Sequence, residues 1–122
     1  KDSGVKAFLK KRFSDAERDL TAALTRMPQD AETLLNLGVV YEASGRGLEA
    51  VELFGRAIAA GAAQSDGAEA AAAALGARAA IFERSGQRAQ ARADLERALR
   101  VAPEAWSGRE EASLRLKRLA AP

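Results

Sequence analysis

Residues 34–61 read LLNLGVVYEASGRGLEAVELFGRAIAAG, and the position of the small residues in this stretch decides the fold. Leu34, Leu37, Gly38 and Tyr41 recur at three- and four-residue spacing, as does the set Ala50, Phe54 and Ala57, with Gly45 between them. That spacing predicts two helices joined by a short turn. Gly38 and Ala50 stand where two antiparallel helices would approach most closely, and a bulky side chain at either would push them apart. Leu37, Tyr41 and Phe54 fill the space beside that contact. A hairpin this thin cannot bury its second face alone, so it needs neighbours of the same kind.

The neighbours are in the sequence. Ala50, Phe54, Ala57 and Ala62 have counterparts 34 residues earlier in Ala16, Leu20, Ala23 and Pro28. They have counterparts 41 residues later in Ala91, Leu95, Ala98 and Pro103. Twelve positions before the first alanine of each set sits a small residue: Gly4, Gly38 or Ala79. Helix punctuation follows the same rhythm. Ser14 and Glu17 have capping-box spacing, as do Ser107 and Glu110, and Asp30 can start a helix that stops at Gly45. Further segments end at Gly61, at Gly86 and before Pro103.

These residues resemble the tetratricopeptide repeat. The central unit matches at Leu34, Leu37, Gly38, Tyr41, Gly45, Ala50, Phe54 and Ala57, with Ala62 in place of the closing proline. The third keeps Leu75, Ala79, Phe82, Gly86, Ala91, Leu95, Ala98 and Pro103. The first keeps Gly4, Phe13, Ala16, Leu20, Ala23 and Pro28, its opening helix cut short. The resemblance implies an all-α fold, a right-handed superhelical stack of antiparallel helix pairs. A single domain over 1–122 is expected, with units at about 1–29, 30–63 and 67–104 and a capping helix at about 105–120. In that cap, Leu114, Leu116 and Leu119 would mostly turn inward while Arg109, Glu110, Lys117 and Arg118 face water. Two departures stand out. Arg78 replaces Leu37, and it can lay its stem on apolar surface with its head in water. The third unit also carries seven extra residues between Ile58 and Leu75, within which GAEAAAAALGARAA (67–80) reads as helix rather than linker. The excess is expected in a longer turn after Gly61 and an extension of this helix, capped by Asp66 and Glu69.

Composition supports the class and narrows the chemistry. The chain has 122 residues, rich in helix formers, with three prolines, no cysteine and no histidine. Disulfides and thiolate metal sites are thereby excluded, and the commonest metal ligand and general base is missing. Formal net charge is +2, and the pI of 9.3 reflects the scarcity of groups titrating between carboxylates and lysines. No run is long and apolar enough to span a membrane. The opening KDSGVKAFL lacks an initiator methionine, which suggests a processed protein or fragment and leaves the compartment open.

No catalytic constellation emerges, so a non-enzyme with neither cofactor nor metal is expected. Asp15, Glu17 and Asp19 read as solvated surface, and Ser65 and Asp66 as capping residues. The basic runs KKR (10–12) and RLKR (115–118) read as solvated charge, since most aromatics are claimed by the core; nucleic acid is not the expected partner. What remains is the groove that the first helices of such units line. The resemblance places Lys1, Val5, Phe8 and Leu9 there from the first unit. The second adds Glu32, Leu35, Asn36, Val39 and Glu42, and the third Ala73, Gly76, Ala77, Ala80, Glu83 and Arg84. Val5, Phe8, Leu35 and Val39 would form an apolar patch costly to leave in water, and a partner peptide or helix is the expected cover, with Asn36 binding its backbone. One subtype of the family clamps a C-terminal carboxylate. Lys1 and Asn36 match its five positions, but Val5, Ala73 and Ala77 do not, so that ligand is rejected. The expected function is a protein-interaction scaffold. The alternative is a self-assembling or helper segment of a larger protein, associating through its truncated first unit.

Overall fold

The computed structural model describes residues 2–121, without the side chains of residues 2–5 and 8. The described residues form six helices and no strand: α1 (Asp2–Arg26), α2 (Ala31–Ala43), α3 (Gly47–Ala63), α4 (Ala68–Arg84), α5 (Arg88–Val101) and α6 (Arg109–Ala120). Consecutive helices pack on one another throughout, and α2 also touches α4. The product is an all-α stack in which α2–α3 and α4–α5 are the two hairpins and α6 closes the end.

Each hairpin turn depends on one glycine. Gly45 has φ +86° and Gly86 φ +78°, both in the left-handed region. The turns are closed identically. The Gly45 N–H donates to Glu42 O and the Arg46 N–H to Tyr41 O, and in the second turn Gly86 donates to Glu83 O and Gln87 to Phe82 O. This paired bonding satisfies the last carbonyls of the preceding helix and reverses the chain within a few residues.

The first unit contains no such turn. Ser14 does not cap a helix: it lies inside α1, an unbroken helix of 25 residues. The 34-residue offset that maps Ala50 onto Ala16 maps Gly45 onto Lys11. A lysine pays a steric cost in the left-handed region that glycine does not. With no glycine or proline between residues 5 and 26 to stop it, the helix runs through.

The core is built from the register positions. Ala50, Phe54, Ala57, Ala91, Leu95 and Ala98 are all fully buried, as are Leu34 and Leu75. Burial of a leucine or phenylalanine side chain contributes about 1.5–3 kcal/mol each. Gly38 has a clear reason to lack a side chain, because a Cβ there would fall 2.6 Å from Phe54 Cε1. In the next hairpin the same position is Ala79, and its bulky partner is the smaller Leu95.

The alanine run is helical and α4 is extended as expected, but the rest of the excess lengthens α3 instead of the turn. α4 has 17 residues against 13 in α2, a gain of four, and α3 continues to Ala63, three beyond the repeat equivalent of Arg26, where α1 ends. Together these absorb the seven-residue excess. The connection, residues 64–67, is no longer than 27–30. Gly61 lies within α3's last turn rather than ending the helix, and its role is steric: a Cβ there would meet Gly67 O at 2.5 Å and Ala71 Cβ at 2.9 Å. Gly67, not Asp66, occupies the N-cap of α4, and Gly108, not Ser107, that of α6.

Polar side chains tie the layers together in ways that the spacing did not reveal. Arg78 does not hold its head in water. Its Nε and Nη2 donate to the two carboxylate oxygens of Asp94, both at 2.8 Å, and Asp94 is 6% exposed. This bonding raises the Arg78 pKa above its usual value despite burial. On α1, Glu17 accepts from Arg46 at 2.6 Å and from the Tyr41 hydroxyl at 3.0 Å, while the guanidinium lies 4.0 Å from the Tyr41 ring centroid. The Arg46 bond holds the Glu17 carboxyl below the usual 4.5, outweighing partial burial, and Tyr41 adds to it. Arg109 is not a solvated residue of the cap. It donates to Leu99, Ala102 and Pro103 carbonyls and closes the end of α5. Leu116 and Leu119 turn inward onto the cluster of Ala79, Ala91, Leu95 and Ala112, whereas Leu114 remains exposed.

Candidate functional site

The side of the stack formed by α2, α4 and α6 carries two adjoining clefts. Helix starts build the first. The opening turns of α2 and α4 bring up Ala31, Leu35, Asn36, Ala70 and Ala73, and the α5–α6 connection adds Trp106. Its volume is about 470 Å³. The second, about 310 Å³, lies between α4 and α6, where Ala73, Gly76, Ala77 and Ala80 face Glu111, Ala112 and Arg115. Ala73 and Trp106 belong to both clefts. Alanine and glycine on α4 leave the space, because larger side chains on this face would fill it.

Ion pairs fix the far end of this face. Glu42 of α2 accepts from Arg84 of α4 at 2.8 Å. Arg115 of α6 donates to Glu83 at 2.7 Å and to the Gly76 carbonyl at 3.2 Å. These bridges hold α2, α4 and α6 at set separations, and they neutralise most of the charge they carry.

The expected groove residues do not all fall on one surface. Leu35, Asn36 and Ala73 share the first cleft, and Ala73, Ala77 and Ala80 share the second. Val39 is 46% exposed on α2 and lines neither cleft. Glu42 and Arg84 are on the face but satisfy one another. Lys1 lies outside the described residues, and so do the side chains of Val5 and Phe8. Leu9, on α1, borders a separate cleft of about 510 Å³ with Phe13, Ala43 and Arg46, away from the α2–α4–α6 face. The straight run of α1 accounts for that: without a turn at Lys11, residues 2–13 do not fold back as a first helix beside α2.

Trp106 is the principal residue that the spacing did not place. It sits half-buried where the two core clusters meet, and it borders both clefts. Gly108 makes room for it, since a Cβ there would fall 2.4 Å from Trp106 Cζ2. The available signal was its uniqueness: the only tryptophan, two residues before a glycine, between the last two helices.

Comparison with known proteins agrees with this fold. No curated protein matches the chain. Two solved structures of the Yersinia enterocolitica type III secretion chaperone SycD are similar in fold. The translocator chaperone structure superposes with TM-score 0.74 at 16% identity, covering 97% of this chain and 79% of that one. SycD in complex with a peptide of the translocator YopD gives TM-score 0.75 at 16% identity, covering 97% and 87%. The tetratricopeptide repeat model matches residues 29–104, from just before α2 to just after α5. That match spans most of the chain and includes both glycine-turned hairpins, so the protein belongs to the tetratricopeptide repeat family.

Proposed function

We propose that this protein is a non-catalytic interaction module that binds a peptide or helix of a partner protein on the α2–α4–α6 face. The observation that carries this is the pair of adjoining clefts, with Leu35, Ala73, Ala77 and Ala80 as floor and Asn36 exposed at the edge. A floor of small apolar side chains accepts side-chain anchors, and an exposed amide can bond the backbone of an extended or helical ligand. The SycD structure with a YopD peptide shows that a protein of this fold can bind a peptide; the ligand of the present chain is a separate matter.

Site-specific photocrosslinking tests the reading. A crosslinker at Asn36 should capture a defined partner from native material, and one at the exposed Arg56 on α3 should not. Capture should be lost in the Ala77→Arg/Ala80→Arg variant. Retention of every partner by that variant, with its helical content intact, would sink the assignment.

A second reading, self-association through α1, is favoured by one contrast. Ala16, Leu20 and Ala23 are only half-buried, while their counterparts on α3 and α5 are fully buried beneath α2 and α4. Another copy could cover that stripe. Light scattering across a concentration series decides it: a concentration-independent monomer rules self-association out.

A further inference from the structure

The first cleft has a charge as well as a shape. Asp30 and Glu32 stand on one wall, at the start of α2, and Asp66 and Glu69 on the other, at the start of α4. Among the described residues lining the cleft there is no lysine or arginine, and none of these carboxylates takes part in an ion pair. Each has a local reason for its place, because the first turn of a helix favours negative charge. The joint consequence goes beyond that: two helix starts bring their acidic turns to one space, over an apolar floor and beside Trp106. The carboxylates are spread along the rim, and no group of His, Cys, Asp or Glu among the described residues is close enough to hold a metal ion. The chain as a whole is slightly basic, so this acidity is local.

Resting on the groove reading above, we propose that the occupant of this cleft is a basic peptide segment, with lysine or arginine side chains meeting the Asp30, Glu32, Asp66 and Glu69 carboxylates and an apolar neighbour on Leu35 and Ala73. Trp106 lines the same cleft, and an aromatic ring beside a bound cation attracts it. Charge complementarity sets the choice of partner and speeds the encounter. An acidic peptide or a nucleic acid would meet four like charges. The polarity is opposite to that of the carboxylate clamp, whose third-unit cations would stand at Ala73 and Ala77.

Selection from a displayed random-peptide library tests this, with counter-selection against the Ala73→Arg variant. Enriched peptides should be net positive with interspersed apolar residues. Synthetic copies should shift the emission of Trp106, the only tryptophan. Their affinity should fall about tenfold between about 50 and 300 mM salt. It should fall about fivefold in the Glu32→Gln/Glu69→Gln variant, which keeps side-chain shape while removing charge. Circular dichroism checks that both variants remain folded. Neutral or acidic winners that still shift Trp106 and still lose binding to Ala73→Arg overturn the basic-ligand proposal and leave the groove reading standing. If no enriched peptide is sensitive to Ala73→Arg, both fall. A dimer broken by Ala73→Arg, with the cleft closed to all peptides, makes a second copy the occupant and also overturns the proposal.

Discussion

The hairpins α2–α3 and α4–α5 share one backbone plan and solve it with different chemistry. In the first, the equivalent positions 37 and 53 are Leu37 and Leu53, 4% and 6% exposed. In the second they are Arg78 and Asp94, a two-bond ion pair whose carboxylate is as deeply buried as the leucine it replaces. The close helix contact differs too: Gly38 against Phe54 in one, Ala79 against Leu95 in the other, so a methyl gained on one helix is balanced by a smaller side chain across from it. The repeat therefore conserves volume and the glycine turn, while polarity at a buried pair is free to change if both partners change together.

The largest expected effect comes from breaking that pairing. Asp94→Ala leaves the partly buried Arg78 uncompensated and should cost about 2–4 kcal/mol in denaturant unfolding. Replacing both members, as Arg78→Leu/Asp94→Leu, copies the first hairpin and should return stability to within about 1 kcal/mol of wild type, or above it. A double variant as unstable as the single would show that the two hairpins are not interchangeable at this site.

Next is the steric pair. Gly38→Ala drives a methyl into the Phe54 ring and should cost about 1–3 kcal/mol. Adding Phe54→Leu reproduces the Ala79–Leu95 arrangement, and the double variant should be more stable than Gly38→Ala alone. A thermal melt of the three variants measures the coupling.

Smaller again are the turns. A Cβ at Gly45 or Gly86 would meet nothing within 4 Å, so only backbone strain opposes it. Gly45→Ala and Gly86→Ala should each cost about 1–2 kcal/mol, and by the same amount, since the bonding of the two turns is the same.

The smallest effect concerns the Glu17–Arg46 clamp on α1, which neither hairpin possesses. Its carboxyl is held below 4.5 by Arg46. The stabilisation is therefore complete above that ordinary value and is lost as pH falls through the lower folded value. Amide exchange in the amino-terminal half of α1 should become less protected at about pH 3 than at pH 6, after correction for intrinsic rates. Arg46→Ala should abolish that difference.

Much of this architecture was legible because small residues are difficult to substitute at close contacts. Gly38, Ala50, Ala57, Ala91 and Ala98 recur in register for steric reasons, and steric reasons survive in a single sequence. Three features were harder to read. The Ser14–Glu17 capping pattern also arises by chance inside a helix, and the decisive sign lay three residues earlier, in a lysine where the other units have glycine. The Arg78–Asp94 bond joins residues on different helices, and the spacing that marks Arg78 as a departure from Leu37 does not name its partner. The small side chains on the face of α4 stand out in the sequence as alanines. The acidity beside them does not, because Asp30 and Glu32 are distant in sequence from Asp66 and Glu69 and each pair is accounted for by its own helix start.

The straight course of α1 has a mechanical consequence. α2 is 13 residues long and α1 is 25, so about half of α1 extends past the turn at Gly45. At 1.5 Å per residue that is an arm of roughly 18 Å. The Glu17–Tyr41–Arg46 junction is where this arm leaves the stack. A tilt of about ten degrees there would move Asp2 by about 3 Å, given the same helical rise. One lysine in place of a glycine has thus turned what would have been another layer of the stack into a projecting arm.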